Sequence, residues 1–556
     1  MSSFQPALYS TDTEIAEGQS TGWRRIEAGL ERASEWLNPI LVKEARQALK
    51  SRQFVITFGL LLLFGWAWTV FGVFLSAPGI FYGAEGKGML YGYFLVLAIP
   101  LLVVVPFSAF RSLAAEREDG TYELISITAL NARQIVGGKL GSAILQMMVY
   151  FSALAPCVAF TYLLRGVDIF SIFFVLYYTF LLSLLLSTLG LLVATATRAR
   201  HWQVLLSVLL LLLLFISAIV WVSFIYSSLF SEIWRADRWQ FWAANGFVLS
   251  IYTIFFILFL WASAAQISFA SDNRSSRLRY VMVVQQVLWF GWMVFFWLAF
   301  EEPEIAAAMT SAAAIYWMAM GALLIGEYPQ LSPRVKRELP QTYLGRMLFT
   351  WFNPGSGTGY IFAVLNMTAY TVITLVMLSW LSAMGATWSQ FRVINIIWFT
   401  LLQTAYVAIY LGISRIIVLL ARQIASVGLV FSLLVTVFFG IAGVALPWIF
   451  QYWLFDYRHE DYTALQITNW AWTLGYAIEH DITDHILVPI GVLGSGLVLF
   501  GINMMLSGRE VNQTRVAAPQ RVQEDDAAKL PVFKPKKSSP WDDEEEPALH
   551  DLPPGA

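Results

Sequence analysis

Long apolar runs separated by short polar segments dominate the chain. A helix needs about 20 mainly apolar residues to cross the hydrocarbon core of a bilayer. Runs of about that length recur along the whole chain, and none alternates with the period of two that is typical of barrel strands. The pattern predicts an all-α, polytopic integral membrane protein with about 12 transmembrane helices. The predicted spans are 54–76, 89–110, 140–164, 169–197, 204–229, 244–270, 281–300, 305–326, 359–383, 393–414, 424–450 and 486–506.

Composition excludes an ordinary soluble protein. Hydrophobic residues occupy 58% of the 556 positions, charged residues occupy 13%, and the mean hydropathy is +0.63. Soluble domains carry about 25% charged residues, roughly twice this share. The net charge of −2 provides no basic surface for nucleic acid. The one cysteine, Cys157, lies inside an apolar run, so neither a disulfide framework nor a cysteine metal site is expected.

Lys and Arg are distributed unequally over the two sides that twelve spans would define. Of the 35 such residues, 29 fall on the side that holds both ends of the chain, and 6 fall on the other. Cytoplasmic loops are enriched in Lys and Arg. Both termini are therefore predicted to be cytoplasmic, in a multi-pass protein of the cell (inner) membrane. The predicted organisation is a cytoplasmic segment at 1–53, six-helix membrane domains at 54–270 and 281–506, and a disordered cytoplasmic tail at 507–556.

The predicted spans contain no Asp, Glu, Lys or Arg. Carriers driven by protons or sodium usually hold such residues near the membrane midplane, so their absence argues against that class. Neutral amides are the main polar side chains within the spans. Hydrogen bonding between helices is the principal interpretation of them, and the lining of a substrate path is the alternative. These amides include Gln146, Gln266, Gln285, Gln286, Asn366, Asn395, Gln403 and Asn503.

No phosphate-binding loop of the form G-x-x-x-x-G-K-[ST] occurs in the sequence. Gly137-Gly138-Lys139 is followed by Leu140, and the glycine-rich segment 355–359 has no lysine, so both are predicted to serve helix entry or a turn. We expect no ATPase domain, catalytic residue, metal site or cofactor. Energy for any transport would then come from a separate protein. A group of His and acidic residues within 456–485, on the outer side, leaves a metal or catalytic site as an alternative to a solvated surface.

Two segments on the predicted cytoplasmic side are distinctive. The first, 38–52, reads N-P-I-L-V-K-E-A-R-Q-A-L-K-S-R and begins with an asparagine cap and a proline. At 100° per residue Lys43 and Arg46 lie on a polar arc, and Glu44 is the lone acid on the apolar side. This pattern predicts an amphipathic helix on the inner membrane surface that leads into the first span.

The second segment is the loop 111–139 between the second and third predicted spans. It contains E-R-E-D-G-T-Y-E-L-I-S-I, in which Gly120 can end one helix and Thr121 can cap a short second one. Asn131 can then cap a third helix that continues into the membrane. The short helix would present Leu124, Ile125 and Ile127 as apolar contacts, which is typical of a docking element. A charged connector with coincidental caps is the alternative interpretation.

The order of these motifs resembles a known family. N-P-(apolar)-(apolar)-x-K-E-x-R, a span, E-R-E-x-G-T-x-E-L and then G-K at the next helix is similar to the permease subunits of type-2 ATP-binding-cassette exporters, over 38–229. The resemblance implies that Lys43, Glu44 and Arg46 belong to an interfacial elbow helix. It also implies that the loop contains a coupling helix, which binds in a groove of a separate cytoplasmic ATPase subunit. The implied ATPase-coupling residues are Glu116, Gly120, Thr121, Glu123, Leu124 and Ile125.

The resemblance implies a permease that moves an amphiphilic or lipid-linked substrate, with the bilayer and the ATPase as partners and a second copy or a second permease as a further one. The second half departs from the pattern. Its loop at 327–350 occupies the corresponding position, which favours a 6+6 parallel arrangement, but the two loops do not align convincingly. The second half is either a diverged permease copy or an appended module. The rival functions are an ion-coupled secondary carrier and a non-transporting membrane assembly scaffold.

Overall fold

A computed structural model describes most of the chain. The described residues are 39–77, 79, 82–118, 131–196, 200–231, 237–269, 272–300, 302, 304–329, 349–383, 390–425, 427–454 and 462–515. Within these ranges the regular structure is helical throughout, and no strand occurs. Twelve of the described helices are long and apolar enough to cross a membrane, which confirms the prediction of an all-α, multi-pass membrane protein.

A short helix precedes the first six spans and is not itself a span. The short helix is α1 (Pro39–Lys50), and the spans are α2 (Arg52–Ser76), α3 with α4 (Gly86–Ile99 and Val105–Glu118), α5 (Ala132–Leu163), α6 (Ile169–Thr195), α7 (Arg200–Phe230) and α8 (Trp239–Ile267). A π-helical turn, Pro100–Val104, joins α3 to α4. Pro100 and Pro106 lack the backbone N–H that a regular α-helix requires, which favours the wider turn there.

Two of the connections between the last six spans contain short helices. The spans are α9 (Ser276–Phe300), α10 (Glu304–Ile325), α11 (Ser356–Ala383), α12 (Gln390–Ala421), α13 (Leu429–Leu454) and α15 (Leu487–Arg515). A 3₁₀ turn at Thr350–Phe352 precedes α11. Between α13 and α15 lie 3₁₀ turns at Ala464–Thr468 and Ile482–His485 and the helix α14 (Trp470–Glu479).

Several helices extend beyond the apolar runs that predicted them. Residues 111–118 continue α4 and residues 132–139 begin α5, as the expected helix end near Gly120 and the expected helix cap at Asn131 predict. Residues 507–515, predicted as the start of a disordered tail, are the last turns of α15. The prediction of a disordered tail is wrong at residues 507–515, because hydropathy marks only the part of a helix in the hydrocarbon. Charged residues can continue the same helix where they find partners.

The buried apolar residues form separate clusters. One cluster contains residues of the first six spans and of the connection between α5 and α6, from Leu61 to Ile267. Two others are built almost wholly from the last six spans, with Leu258 of α8 contributing to one of them. The two sets of helices meet along α8 and α9, where Trp292 Nε1 donates to Ser250 Oγ over 2.8 Å and Phe247 packs on Trp289.

Candidate elbow and coupling site

Helix α1 corresponds to the predicted amphipathic helix, and it packs against α5. An added Cβ at Gly138 would lie 2.8 Å from Ile40 Cβ, and one at Gly141 would lie 2.6 Å from Leu41 Cδ1. A larger side chain at Gly138 would meet Ile40 Cβ and the backbone of Leu41 and would push the helices apart, whereas one at Gly141 would meet the flexible end of the Leu41 side chain. Gly138 of the G-G-K motif therefore serves close helix packing, whereas an added Cβ at Gly137 would meet nothing within 4 Å. Ser51 caps the following span by accepting from Phe54 N over 3.1 Å.

A buried cluster of charges joins α1, α4 and α5. Lys139 is 1% exposed, and its Nζ lies 3.1 Å from Glu44 Oε1, 3.0 Å from Glu116 Oε2 and 3.2 Å from the carbonyl oxygen of Ser112. Lys43 Nζ lies 3.5 Å from Glu116 Oε1 at the exposed edge of the cluster. Two cations thus face two carboxylates, which keeps the group close to neutral inside the protein.

The cluster holds the two helix ends that flank residues 119–130. Helix α4 ends at Glu118, just before this segment, and α5 begins at Ala132, just after it. Arg117, next to Glu116, donates to the carbonyl oxygen of Thr195 at the end of α6 over 2.9 Å. Helices α4 and α6 also pack closely further along their lengths. An added Cβ at Gly190 of α6 would lie 2.8 Å from the carbonyl oxygen of Pro106 in α4. The end of α4 is therefore tied both to α1 and to α6.

The structure brings together three of the residues selected from the sequence. Lys43, Glu44 and Glu116 belong to the charged cluster. Arg46 is exposed on α1 and takes no part in the cluster. Asn131 begins α5 as predicted, and its backbone N–H donates to Gln134 Oε1 over 2.9 Å. The remaining predicted coupling residues lie outside the described residues: Gly120, Thr121, Glu123, Leu124 and Ile125.

Sequence reasoning did not identify the role of Lys139. Two signals pointed to it. Glu44 is an acid on the apolar side of an amphipathic helix, so it needs a buried cation. Lys139 directly precedes an apolar run, so it is drawn into the protein when that run enters the membrane. Neither signal alone identifies the partner, because 95 residues separate the two along the chain.

The last six spans contain two further buried ion pairs. Arg279 Nη2 of α9 lies 2.6 Å from Glu327 Oε2, which follows α10. Arg415 Nη2 of α12 lies 3.1 Å from Glu510 Oε1 of α15. The observed helices therefore include buried charges that the predicted, charge-free spans did not. Each lies close to an end of its span, just beyond the apolar run, so the prediction remains correct for the central parts of the spans.

Several of the amides inside the spans hydrogen-bond between helices, as their main interpretation predicts. Gln403 Nε2 donates to Ser311 Oγ over 3.0 Å, and Gln286 Nε2 donates to the carbonyl oxygen of Asn366 over 2.8 Å. Asn503 Oδ1 accepts from Arg415 over 3.1 Å. These contacts link spans that are far apart in sequence.

The segment between α13 and α15 folds back on the helix ends. Tyr406 donates its hydroxyl to the carbonyl oxygen of Ile467 over 2.7 Å, and Asn395 Nδ2 donates to the carbonyl oxygen of Ile478 over 3.1 Å. Among the described residues, no group of three His, Cys, Asp or Glu side chains is arranged to hold a metal ion. The part of the predicted outer cluster at 455–461 lies outside the described residues.

Comparison with protein-family models, with characterised proteins and with solved structures gives no match to this chain.

Proposed function

We propose that this chain is the permease subunit of a type-2 ATP-binding-cassette exporter of the cell (inner) membrane. ATP hydrolysis by a separate cytoplasmic ATPase subunit would act on residues 119–130 and move an amphiphilic or lipid-linked substrate. The proposal rests on the resemblance of the motifs at 38–52 and 116–139 together with one observation. That observation is the buried cluster around Lys139, which joins the elbow helix to both helix ends that flank the docking segment.

The geometry suggests how force would be transmitted. A helix docked on an ATPase would pull on Glu118 and Ala132, the helix ends that flank it in sequence. Because Lys139 contacts Glu44 and Glu116, the elbow helix would move as one body with these ends. Arg117 would carry the same displacement to α6. A rigid coupling of this kind suits a machine that is driven from outside the membrane.

The carrier alternative is less well supported. An ion-coupled carrier needs titratable groups that face a substrate path near the midplane. In the described part of the chain the buried charged residues Lys139, Arg279 and Arg415 lie near span ends and are paired. Their positions fit a role in holding helices together better than a role in relaying protons or sodium ions.

The test is the substitution Leu124→Asp in the proposed coupling helix. Docking of a short helix depends mainly on buried apolar area, and an unpaired carboxylate in the groove would cost several kcal/mol of association. We expect the variant to lose both the co-purifying ATPase and transport while its level in the membrane stays normal. Pull-down of the tagged chain from its native membrane, followed by an ATPase assay, measures this.

Glu118→Gln is the matched control, since Glu118 is an exposed charge at the edge of the same segment. Loss of an exposed charge should change association by about 0–1 kcal/mol. An ATPase that never co-purifies with the unmodified chain would refute the proposed function. Retention of partner and transport by Leu124→Asp would refute the coupling assignment and favour the carrier.

Val335→Asp, in the second-half loop, should reproduce the loss only if that half also docks an ATPase.

The proposed topology has its own test. Both termini are expected in the cytoplasm, because 29 of the 35 Lys and Arg residues lie on their side. Reporter domains fused at Ser3 and at Ala556 should therefore both give the cytoplasmic signal. An outward-facing terminus would move segment 119–130 away from any cytoplasmic ATPase.

A further inference from the structure

A cavity of about 580 Å³ lies between the elbow helix and the first three spans. Its walls come from α1, the start of α2, α4 and α5. The volume falls within the range of about 300–1,000 Å³ that is typical of small-molecule sites. Its lining combines cationic, amide, hydroxyl and aromatic groups, which include Lys43, Arg111, Gln146, Ser108, Phe54 and Tyr150.

The charges around this cavity leave one cation in excess. Glu44 and Glu116 line it, but Lys139 lies 3.1 and 3.0 Å from them and Lys43 lies 3.5 Å from Glu116. Arg111 also lines the cavity, and it makes no ion pair with any residue in the described part of the chain. The two carboxylates are thus balanced by the two lysines, and the guanidinium of Arg111 remains for an anion.

The side-chain amide of Gln146 adds a hydrogen-bond donor to the cavity. The Gln146 side chain is 7% exposed, and its Oε1 lies 3.4 Å from Ser108 Oγ. Its Nε2 donates to no group in the described ranges, although Gln146 lines the cavity. This N–H₂ group is accessible to solvent, so it can donate to an acceptor in the cavity. Arg111 and Gln146 therefore offer charge and hydrogen-bond donors to one ligand, the combination that binds phosphate oxygens.

The position of the cavity indicates the kind of phosphate. The amphipathic helix α1 and the beginning of α2 mark the membrane interface, where lipid headgroups lie. Gln53 and Phe54 form part of the cavity wall, and the next residues, Val55 and Ile56, are 59% and 61% exposed on a span. A headgroup in the cavity would place its acyl chains along this apolar surface.

We infer that the cavity between α1, α4 and α5 is a binding site for the phosphate headgroup of an anionic phospholipid. Arg111 pairs with the phosphate, Gln146 donates to one of its oxygens, and the chains extend along α2. The single excess cation favours a headgroup with a net charge of −1 over a zwitterionic one. The inference concerns this cavity alone and holds whether or not the chain works with an ATPase.

The test is a titration of the purified, full-length chain with three probes, followed by native mass spectrometry. The probes are phosphatidylglycerol, phosphatidylcholine and inorganic phosphate. We expect one phosphatidylglycerol molecule to bind at least tenfold more tightly than phosphatidylcholine. Arg111→Gln should weaken that binding about tenfold, the loss of one charge-assisted contact. Gln146→Leu should weaken it several-fold.

Arg46→Gln is the matched control, because Arg46 is an exposed cation on α1, one of the helices that form the cavity, but is not part of the cavity lining. It should change the affinity by less than twofold, and all three variants should unfold at the temperature of the unmodified chain. Equal effects of Arg111→Gln and Arg46→Gln would mean diffuse surface attraction and overturn the site. Equal binding of the two lipids would overturn the anionic headgroup. Inorganic phosphate that binds as tightly as the lipid, and depends on Arg111, would overturn the lipid as the ligand.

Discussion

Replacement of Lys139 by methionine is expected to lower the free energy of unfolding by about 3–5 kcal/mol. Methionine has a similar length but no charge, so Glu44, whose side chain is 7% exposed, would lose its cation. Removal of one partner from a buried ion pair leaves the other charge in a poorly solvated position, and this dominates the cost. Unfolding of the purified chain in detergent, by heat or by denaturant, measures the change.

Two variants separate this cause from a general packing defect. Lys139→Met combined with Glu44→Met removes the orphaned carboxylate, while Glu116 keeps Lys43 at 3.5 Å, so we expect recovery of more than half of the lost stability. Arg46→Met changes an exposed cation on the same helix and should cost less than about 0.5 kcal/mol. A double variant no more stable than Lys139→Met would rule out the buried charge as the cause.

Glu510→Leu is expected to have an effect of similar size, about 3–5 kcal/mol, in the last six spans. Arg415 is 0% exposed and cannot lose its proton, so without Glu510 its remaining partners are the carbonyl oxygen and Oδ1 of Asn503, at 2.7 and 3.1 Å. Glu510 also accepts from Ser356 Oγ over 2.8 Å and from Gly357 N over 2.7 Å. The substitution would therefore also remove the carboxylate at the beginning of α11.

The chain supplies a control pair for this experiment. Arg392 Nη1 lies 3.2 Å from Glu304 Oε1, and the two side chains are 66% and 51% exposed. Glu304→Leu should change the stability by about 0–1 kcal/mol, because water solvates both partners. Glu510→Leu and Glu304→Leu with equal effects would mean that residues 507–515 are not packed as a continuation of α15. Arg415→Met added to Glu510→Leu should recover part of the stability.

The twelve spans and the amphipathic helix α1 were predictable from the sequence because each depends on local composition. A run of about 20 apolar residues must be shielded from water wherever it lies in the chain, so its role follows without knowledge of its neighbours. The periodicity at 39–50 similarly defines a polar and an apolar side before any partner is known. Asn131 began a helix as predicted, since a cap acts on the backbone of the next three residues.

The ends of the helices and the pairing of their charges were decided by tertiary structure. Hydropathy placed 111–118 and 507–515 outside the spans, yet Glu116 and Glu510 lie on helices because each faces a buried cation from another span. The close approach of Ile40 to Gly138, and of Glu44 to Lys139, joins segments separated by nearly a hundred residues. Sequence alone determined which segments enter the membrane, because burial of apolar surface acts on each segment separately. Only the fold decided which charges could be buried, since a charge is stable there when the packing of distant helices provides its counter-ion.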